Sequence, residues 1–308
     1  MTVNAIDRLS SGARVAVIRL RSLGDCVLTT PAIELLHKHR PDLRIGVAVE
    51  DRFRQIFLGH PAVTQTIAPT ISAVRRFGPD LTINLHGGTR SLWMTLLSGA
   101  RTRAGFEHFA GAYAYNVRIP RAQQILGDER TVHTVEHLAS AMFYLGVPIG
   151  DIPRAKLFAV DRPDNGAYAV VHPFASAPGK EWPRERFVEL CSALRSKLGL
   201  RVEVLGGSSD PMEPFEQYRV YRGAPLETVK RVLSGASVFI GNDSGPAHMA
   251  AAFGVPCVVL FGTSDPAIWG PWRTSHRVLQ SPAGLPGVSL DECLSAAEEM
   301  VAAGVKAS

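Results

Sequence analysis

The sequence has few of the features that mark secreted, metal-binding or membrane-spanning proteins. Its 308 residues include only four cysteines, which are widely scattered and form no CxxC pair and no Cys/His spacing typical of a metal site. No apolar run approaches the roughly 20 residues of a membrane span, and the first residues lack the apolar core of a signal peptide. We therefore expect a cytoplasmic protein with reduced thiols, and we expect neither a metal nor another cofactor.

Dense runs of charge are also absent, although the two halves of the chain differ. The chain carries 33 Lys and Arg against 28 Asp and Glu, a net charge of +5. Residues 1–155 hold 18 of the basic and 12 of the acidic residues, so the positive excess lies in the first half. Because these charges are mostly single arginines, nucleic acid is not expected as a partner. A phosphorylated or carboxylated substrate, or an anionic lipid, fits better.

The order of strand and helix patterns predicts an α/β chain of two domains. A length of 308 residues suits two domains of about 150 residues each. Short β-branched runs alternate with helical patterns, which is typical of parallel sheets with right-handed crossovers. Strands are predicted at 14–20, 44–49, 81–85, 167–171, 200–205, 237–240 and 255–261, and helices after 25 to 39, at 90–97, 185–198, 226–233 and 246–253, and from a capping box at 289–292 to about 303. Pro31 is expected to mark either the first turn or a kink of the first helix, and the proline-bearing stretch 150–168 is the predicted linker.

The segment 241–248, Gly-Asn-Asp-Ser-Gly-Pro-Ala-His, has the character of an anion-binding turn. It follows a predicted strand and opens a helix, with Asp243 or Ser244 as the N-cap. Gly245 lets an oxyanion approach backbone N–H groups, and the helix dipole favours negative charge there. An ordinary capped helix is the simpler alternative, and a hydrolase elbow is excluded because Ser244 does not stand in a G-x-S-x-G sequence. We predict that this turn holds phosphates, with His248 one turn further along.

A second candidate site follows the first predicted strand, at residues 22–25. Gly24 permits close approach of a ligand, and Asp25 stands where a helix begins. Asp25 can either cap that helix or act as a general base that deprotonates a hydroxyl. The segment lacks the G-x-G-x-x-G sequence of dinucleotide-binding turns, so a nicotinamide cofactor is not expected.

The loop after the strand at 167–171 carries the third candidate group. Lys180 is a mobile positive charge suited to a phosphate, and Ser176 offers a hydroxyl. Trp182 is expected to brace the loop. Taken alone, Lys180 is better explained as a surface lysine beside a packed tryptophan, so its role depends on the other two segments.

Together these segments resemble glycosyltransferase family 9, the ADP-heptose:lipopolysaccharide heptosyltransferases. The resemblance extends over residues 14–275 and is carried by Ser-Leu-Gly-Asp-Cys-Val-Leu-Thr-Thr-Pro-Ala at 22–32, Lys-Glu-Trp-Pro at 180–183, Asn-Asp-Ser-Gly-Pro-Ala-His-Met-Ala-Ala-Ala at 242–252 and Val-Pro-Cys-Val-Val-Leu-Phe-Gly at 255–262. It implies the GT-B fold, in which two Rossmann-like, doubly wound domains face a cleft. Residues 1–158 would bind the acceptor and residues 159–308 the nucleotide sugar, with the last helix packing either there or back on the first domain.

The resemblance also implies an inverting, metal-independent transfer of a heptose or related sugar. The donor would be a nucleoside diphosphate sugar, ADP-heptose in the first place, and the acceptor an anionic lipopolysaccharide core. Asp25 would be the general base, with Ser22 and Gly24 beside the reacting sugar. Asp243 would bind sugar hydroxyls, and the diphosphate would be held by Lys180, Ser176, Ser244, Gly245 and His248. A further implied partner is the cytoplasmic face of the inner membrane, in peripheral contact.

Two positions differ from the pattern of the family. An acidic residue that contacts the adenosine often follows a Gly-Gly pair, and here Asp210 or Glu213 is available. The predicted strand at 81–85 is followed by His86, where an acidic residue is common, so acceptor recognition is expected to differ. The candidate acceptor contacts are arginines of the first half, namely Arg75, Arg76, Arg90, Arg101 and Arg103. A nucleotide-sugar epimerase on the same fold and a non-catalytic nucleotide-sugar-binding protein are the alternative functions.

Overall fold

The computed structural model describes residues 3–159, 167–175 and 177–305. The chain divides into two units, Met1–Phe158 and Ala159–Ser308, and each unit contains one sheet. The predicted α/β class with two doubly wound domains is confirmed by the strand orders given below. The functional roles assigned to the two domains stay predictions.

The first unit is a six-stranded parallel sheet with helices on its faces. Its elements are β1 (Arg14–Ile18), α1 (Leu23–His39), β2 (Arg44–Ala48), β3 (Gln65–Ile67), α2 (Ile71–Phe77), β4 (Leu81–Asn84), α3 (Thr89–Leu96), β5 (Thr102–Phe106), β6 (Val117–Ile119), α4 (Ala122–Leu126) and α5 (Thr134–Leu145), with 3-10 turns at Asp51–Ile56 and Ala112–Ala114. The strand order is β3-β2-β1-β4-β5-β6. All neighbouring pairs run parallel.

The second unit repeats this arrangement. Its elements are β7 (Tyr168–His172), α6 (Arg184–Lys197), β8 (Arg201–Gly206), β9 (Arg219–Arg222), α7 (Leu226–Ser234), β10 (Val238–Asn242), α8 (Gly245–Phe253), β11 (Cys257–Leu260), α9 (Pro266–Trp269), β12 (His276–Leu279) and α10 (Leu290–Val305), with 3-10 turns at Pro178–Lys180, Glu213–Phe215 and Leu285–Gly287. The strand order is β12-β11-β10-β7-β8-β9, again parallel throughout.

The central strands are apolar along their length because both faces of each sheet are covered. In β1 every residue after Arg14 is buried. Ala16 and Ile18 meet α2 and α3 in one apolar cluster, to which Phe77 and Met94 contribute. Helices α1 and α5 pack against each other. The strands that the sequence predicted are mostly buried. The strands that it did not predict lie toward the sheet edges, namely β3, β5, β6, β9 and β12.

Helix α1 runs through Pro31 without ending there. It begins at Leu23, so the alternative that placed its first turn at Pro31 is wrong. A proline inside a helix removes the N–H that would bond the carbonyl four residues earlier, here that of Val27. The Thr30 hydroxyl donates to this Val27 carbonyl at 2.8 Å and so replaces the missing bond.

The last helix, α10, packs on the sheet of the second unit. Cys293, Ala297 and Met300 are buried in the cluster that also holds Phe187 and Trp182. The sequence-based alternative that placed this helix back on the first domain is therefore corrected. The helix begins with the predicted capping box, in which the Ser289 N–H and hydroxyl both donate to Glu292 at 2.7 Å.

The four cysteines are free and buried. Burial raises the pKa of the Cys26 thiol to about 12, so this group is an inert thiol at neutral pH. Among the described residues, no helix is both long enough and apolar enough to cross a bilayer.

Candidate active site

Each sheet reverses its strand order at one place, and loops from two neighbouring strands meet there. The reversal lies between β1 and β4 in the first unit and between β7 and β10 in the second. Ligands of doubly wound sheets bind outside the carboxyl ends of the strands at such a switch point. The three segments predicted to carry the chemistry directly follow β1, β7 and β10. They therefore lie at these two switch points.

The turn at 241–248 consists of the end of β10 and the first turn of α8. Ser244 occupies the N-cap position, with φ −161° and ψ 167°, and the helix begins at Gly245. The Ser244 Oγ lies 3.1 Å from Nδ1 of His172, at the end of β7. The hydroxyl thus links the two strands that flank the switch point. The N-terminus of a nine-residue helix, with its partial positive charge, lies at the same place.

His172 is a site residue that the sequence did not single out. Burial lowers its pKa to about 4, and the nearby Asp210 carboxylate acts in the opposite direction. The imidazole is therefore neutral at neutral pH. It stands 72 positions before Ser244 in the chain, so only the neighbouring placement of β7 and β10 could have indicated their contact.

Lys180 and Asp243 meet beside this turn. Lys180 Nζ lies 3.2 Å from Asp243 Oδ2, and the Ser264 hydroxyl donates to the same oxygen at 2.6 Å. The Asp243 side chain is 8% exposed and that of Lys180 29%. The structure thus brings together two predicted donor-binding residues and adds Ser264, which sequence reasoning missed. A cation and a carboxylate are held side by side near the start of α8.

Asn242 fixes the loop that carries Lys180 to the turn. It is fully buried. Its Nδ2 donates to the Pro173 carbonyl at 2.9 Å, and its Oδ1 accepts from the Trp182 N–H at 3.0 Å. Trp182 is buried and its indole N–H donates to the Val288 carbonyl at 3.0 Å. The prediction that Trp182 braces this loop is confirmed.

Two glycines allow the backbones around this site to approach closely. A Cβ added at Gly241 would lie 2.7 Å from the His172 carbonyl oxygen. At Gly262, two residues after the end of β11, a Cβ would overlap the Gly179 carbonyl oxygen. Any side chain at Gly262 would therefore displace the turn Pro178–Lys180 that positions Lys180.

The remaining predicted donor-binding residues of the second unit have different outcomes. His248 is buried in the first turns of α8. Ser176 lies outside the described residues. Asp210 follows β8 and its Oδ2 accepts from the Gly207 N–H at 2.7 Å. Glu213 is 65% exposed at its side chain and pairs with Arg222 at 2.9 Å. The Asp210 carboxylate acts to raise the pKa of His172 at the switch point, whereas Glu213 is paired at the surface.

In the first unit, Asp25 is held at the start of α1. Ser22 is the N-cap, and its backbone N–H and hydroxyl donate to Asp25 Oδ2 at 3.3 and 3.0 Å. Arg19, at the end of the buried strand, donates to Asp25 Oδ1 at 3.3 Å. The capping contact that the sequence allowed is therefore present, and the side chain is still 24% exposed. A carboxylate fixed on both oxygens and open on one side retains lone pairs that can accept a proton.

His86 lies across the switch point from Asp25. Burial and the charges of Arg19 and Arg21 lower its pKa, whereas the Asp25 carboxylate raises it. Among the described residues, His86 Nδ1 and Arg19 Nε are buried polar atoms without a hydrogen-bond partner. Buried polar atoms are usually paired, so these two atoms leave hydrogen-bonding capacity unused beside Asp25.

The His86 loop is shaped by Asn84, the last residue of β4. Asn84 is fully buried, and its Oδ1 accepts from the N–H groups of His86 and Gly87 at 3.0 and 3.2 Å. Its Nδ2 donates to the hydroxyls of Tyr115 and Ser91 at 2.9 and 3.2 Å. Asn84 thus forms the loop that carries His86.

The candidate acceptor arginines fall into two groups. Arg75, Arg76 and Arg101 are exposed. Arg90 donates to the Pro69 carbonyl at 2.6 Å and lies 3.7 Å from Glu50. Arg103 donates to the carbonyls of Ala114 and Ala100, both at 3.2 Å. Arg103 therefore supports the local backbone, and the first three are the arginines most available to a partner.

Among the described residues, no three His, Cys, Asp or Glu side chains are grouped as they would be at a metal site. The positive charge at the second switch point comes from Lys180 and from the N-terminus of α8. Both kinds of group stabilise phosphate oxygens. The arrangement is thus suited to bind a phosphorylated ligand and to stabilise negative charge that develops on it.

Comparisons with known proteins agree with the resemblance. The family model described as glycosyltransferase family 9 (heptosyltransferase) matches residues 70–288. One curated relative, lipopolysaccharide heptosyltransferase 1 of Escherichia coli strain K12, is 26% identical over 304 residues, and the match covers 87% of this chain and 94% of the relative. The segment with Asp25 precedes the residues that the family model matches.

Solved structures share the fold. The glycosyl transferase family 9 protein of Veillonella parvula has a TM-score of 0.84 at 23% identity, covering 95% of this chain and 98% of its own. The E. coli heptosyltransferase WaaC with ADP-2-deoxy-2-fluoro heptose has a TM-score of 0.76 at 23% identity, covering 93% and 99%. The two doubly wound units are those of the GT-B fold. Since residues 70–288 are more than two thirds of the 308-residue chain, the chain belongs to glycosyltransferase family 9, the heptosyltransferase family.

Proposed function

We propose that this glycosyltransferase transfers a heptose, or a closely related sugar, from ADP-heptose to the anionic core of a lipopolysaccharide with inversion at the anomeric carbon. The observation that carries the proposal is the group of Lys180, Asp243 and Ser264 beside the N-terminus of α8. A cation next to a carboxylate matches a ligand that has both phosphates and sugar hydroxyls. Inorganic phosphate, which has no sugar hydroxyls, would use only the cation.

Binding of the donor would break the ion pair between Lys180 and Asp243 that is present in its absence. Lys180 would turn from Asp243 to the diphosphate. The diphosphate would also be bound by the N-terminus of α8, with Ser244, Gly245 and His248. Asp243 would then accept hydrogen bonds from sugar hydroxyls. WaaC of E. coli, which has the same fold, was solved with an ADP-sugar, and this supports ADP as the nucleotide. We assign the adenosine contact to Asp210.

The chemical step is a direct displacement. The acceptor oxygen forms a bond to the anomeric carbon while the bond from that carbon to the diphosphate oxygen breaks, and the diphosphate leaves with the electron pair. Lys180 and the helix N-terminus stabilise the negative charge that develops on the leaving group. Attack from the face opposite the diphosphate inverts the configuration.

Asp25 is the proposed general base for the acceptor hydroxyl. Ser22 and Arg19 fix its carboxylate from two sides, and Gly24, which has no side chain, would let a sugar approach the start of α1. The hydroxyl proton passes to the carboxylate as the new bond forms. Because Asp25 precedes the residues matched by the family model, this role rests on the geometry of the loop and on the resemblance of residues 22–32.

The proposed acceptor is a glycolipid. The name of the E. coli relative, lipopolysaccharide heptosyltransferase 1, supports a lipopolysaccharide core, and the basic first half of the chain suits its anionic groups. We further propose that the protein acts in the cytoplasm, in peripheral contact with the inner membrane.

A panel of ADP-, UDP-, GDP- and CDP-sugars tests the donor site. A ligand that binds the folded protein raises the melting temperature with the logarithm of its concentration, and we expect the largest shift with ADP-heptose. Incubation with heptose-deficient lipopolysaccharide should then release ADP and add one heptose to the acceptor. Absence of a shift with every sugar nucleotide would overturn the proposal. Conversion of the donor to an isomer without acceptor would indicate an epimerase, and a shift without turnover would indicate a binding protein.

A further inference from the structure

The outer side of α3 and the turn Ala112–Ala114 expose large apolar side chains in the first unit. Trp93 is 48% exposed, Leu97 42% and Tyr113 76%. Trp93 and Leu97 are four residues apart and therefore lie on the same side of the helix. We call these three residues the α3 face. Exposed apolar residues that occur singly need no explanation, but a group of them marks an interaction surface.

Packing beneath the α3 face holds its parts together. Leu92 of α3 is buried with Ala114 and Tyr115, and Leu96 and Ala112 pack against the same cluster. Helix α3 and the turn therefore form one packed body. The exposed side chains of the helix and of the turn are therefore held on the same packed body.

Positive charge surrounds the α3 face. Residues 69–121 contain seven arginines and only two carboxylates, those of Asp80 and Glu107. Arg75 and Arg76 are exposed in the last turn of α2, which contacts α3. Arg101 is exposed four positions after Leu97. Arg90, on α3 itself, lies 3.7 Å from Glu50, so the exposed positive charge near α3 comes mainly from Arg75, Arg76 and Arg101.

We infer that the α3 face docks the protein on the surface of an anionic lipid bilayer. Tryptophan and tyrosine favour the headgroup level of a bilayer, and basic residues beside an apolar patch add attraction to anionic lipids. The inference deepens the proposed function, on which it rests for the identity of the acceptor. Helix α3 begins three residues after His86, so docking here holds the candidate acceptor site at the membrane surface that contains the glycolipid.

A bilayer fits this surface better than a protein partner does. A protein interface of standard size buries roughly 800 Å² on each side, far more apolar area than three partly exposed side chains provide. A bilayer, by contrast, can be bound by a few apolar side chains that insert between its headgroups and acyl chains, with basic residues beside them. The excess of arginine over carboxylate around the face is the complement of an anionic lipid layer.

Vesicle flotation with the full chain tests the inference without donor or turnover. We expect binding to vesicles of phosphatidylglycerol and phosphatidylethanolamine, little binding to phosphatidylcholine, and weakening by salt. The double variant Trp93→Ser, Leu97→Ser should lose at least about tenfold in affinity. Neutralising Arg75 and Arg76 should cost about fivefold each. Ile149→Ser is the matched control, because Ile149 is 61% exposed in the segment after α5, and it should bind as the parent does.

Two further measurements separate docking from loss of fold and from loss of activity. Trp93→Phe keeps an aromatic anchor, so it should still bind but lose the blue shift of tryptophan emission that vesicles produce in the parent. The double variant should be slow on acceptor embedded in vesicles and unchanged on acceptor freed of its lipid. The inference would be overturned if the double variant bound vesicles as well as the parent does. It would also be overturned if the parent sedimented as a dimer and the double variant as a monomer. If transfer fails with both acceptors while vesicle binding follows this pattern, the proposed function is wrong and the docking surface stands.

Discussion

Replacing Lys180 by methionine is the sharpest test of the second switch point. Methionine keeps much of the length of the side chain but removes its charge. The Asp243 side chain, only 8% exposed, would keep the Ser264 hydroxyl as partner and lose the ammonium at 3.2 Å. Removing one partner of a fully buried ion pair costs about 3–5 kcal/mol. Because Lys180 is 29% exposed, we expect a smaller loss, about 1–2 kcal/mol in the free energy of unfolding.

The effect of the same substitution on transfer should be larger. In the proposed reaction Lys180 stabilises charge on the leaving diphosphate, and loss of one such group typically lowers the rate by about 10²–10³-fold. We therefore expect kcat/KM for ADP-heptose to fall by that factor. Urea unfolding measures the first effect and steady-state ADP release measures the second.

A second substitution at Asp243 separates the two effects. Asp243→Asn added to Lys180→Met removes the unpaired carboxylate, so stability should recover while transfer stays low. Lys197→Met, at an exposed lysine in the last turn of α6, is the control for loss of one positive charge. If Lys180→Met kept kcat/KM within about threefold of the parent, the role assigned to Lys180 in leaving-group stabilisation would be refuted.

Three further predictions follow from single side chains. Asp25→Asn should lower kcat by about 10²–10⁴-fold while the thermal shift with donor is retained, and an unchanged kcat would exclude the general base. The pKa of His172 is about 4 in the folded protein, below its value of about 6.5 in the unfolded chain. The unfolded chain therefore takes up the proton first as the pH falls. The free energy of unfolding should decrease between about pH 6.5 and about pH 4, by at most about 3 kcal/mol. His172→Asn should remove this part of the pH dependence of urea unfolding, and an undiminished slope would contradict the assignment. Gly262→Ala should raise the Kd for the donor roughly tenfold to a hundredfold in calorimetric titration, because the added Cβ overlaps the Gly179 carbonyl. Gly150→Ala is the control: a Cβ there meets open space, so this variant should bind donor as the parent does.

The parts of the site that could be predicted are those whose signal is local. A strand, a glycine turn and a helix start stand together in residues 241–248, and the structure places the N-cap at Ser244 as expected. The bracing of the Lys180 loop by Trp182 could also be predicted, because a tryptophan next to a proline at a helix start has few alternative positions in which it can be buried. Neither feature depends on which strands are neighbours.

Contacts that cross the sheet could not be derived from spacing. Lys180 and Asp243 are 63 positions apart and His172 and Ser244 are 72 apart. Their proximity follows from the pairing of β7 with β10, which no local pattern specifies. The resemblance to a family joined Lys180 to the turn, but it named neither His172 nor Ser264.

The short strands at the sheet edges escaped prediction for a different reason. Strands β3 and β6 have three residues each, too few for a periodic pattern, and an edge strand is half open to solvent. Their formation depends on the neighbouring strand that offers its hydrogen bonds. For Asp25 the sequence left open whether it caps the helix or acts as a base. The structure has the capping bonds, and the role as a base stays a prediction.

The two bonds of Asn242 tie both ends of the segment between Pro173 and Trp182 to one side chain. The segment between these ties is a closed loop whose two ends are held by one buried amide. Phe174 packs in the core of the second unit, and the Gly179 carbonyl lies against Gly262, so the loop is also fixed between its ends. Lys180 is thus presented from a closed loop, and a longer or shorter segment between the two ties would move its ammonium away from Asp243 and the start of α8.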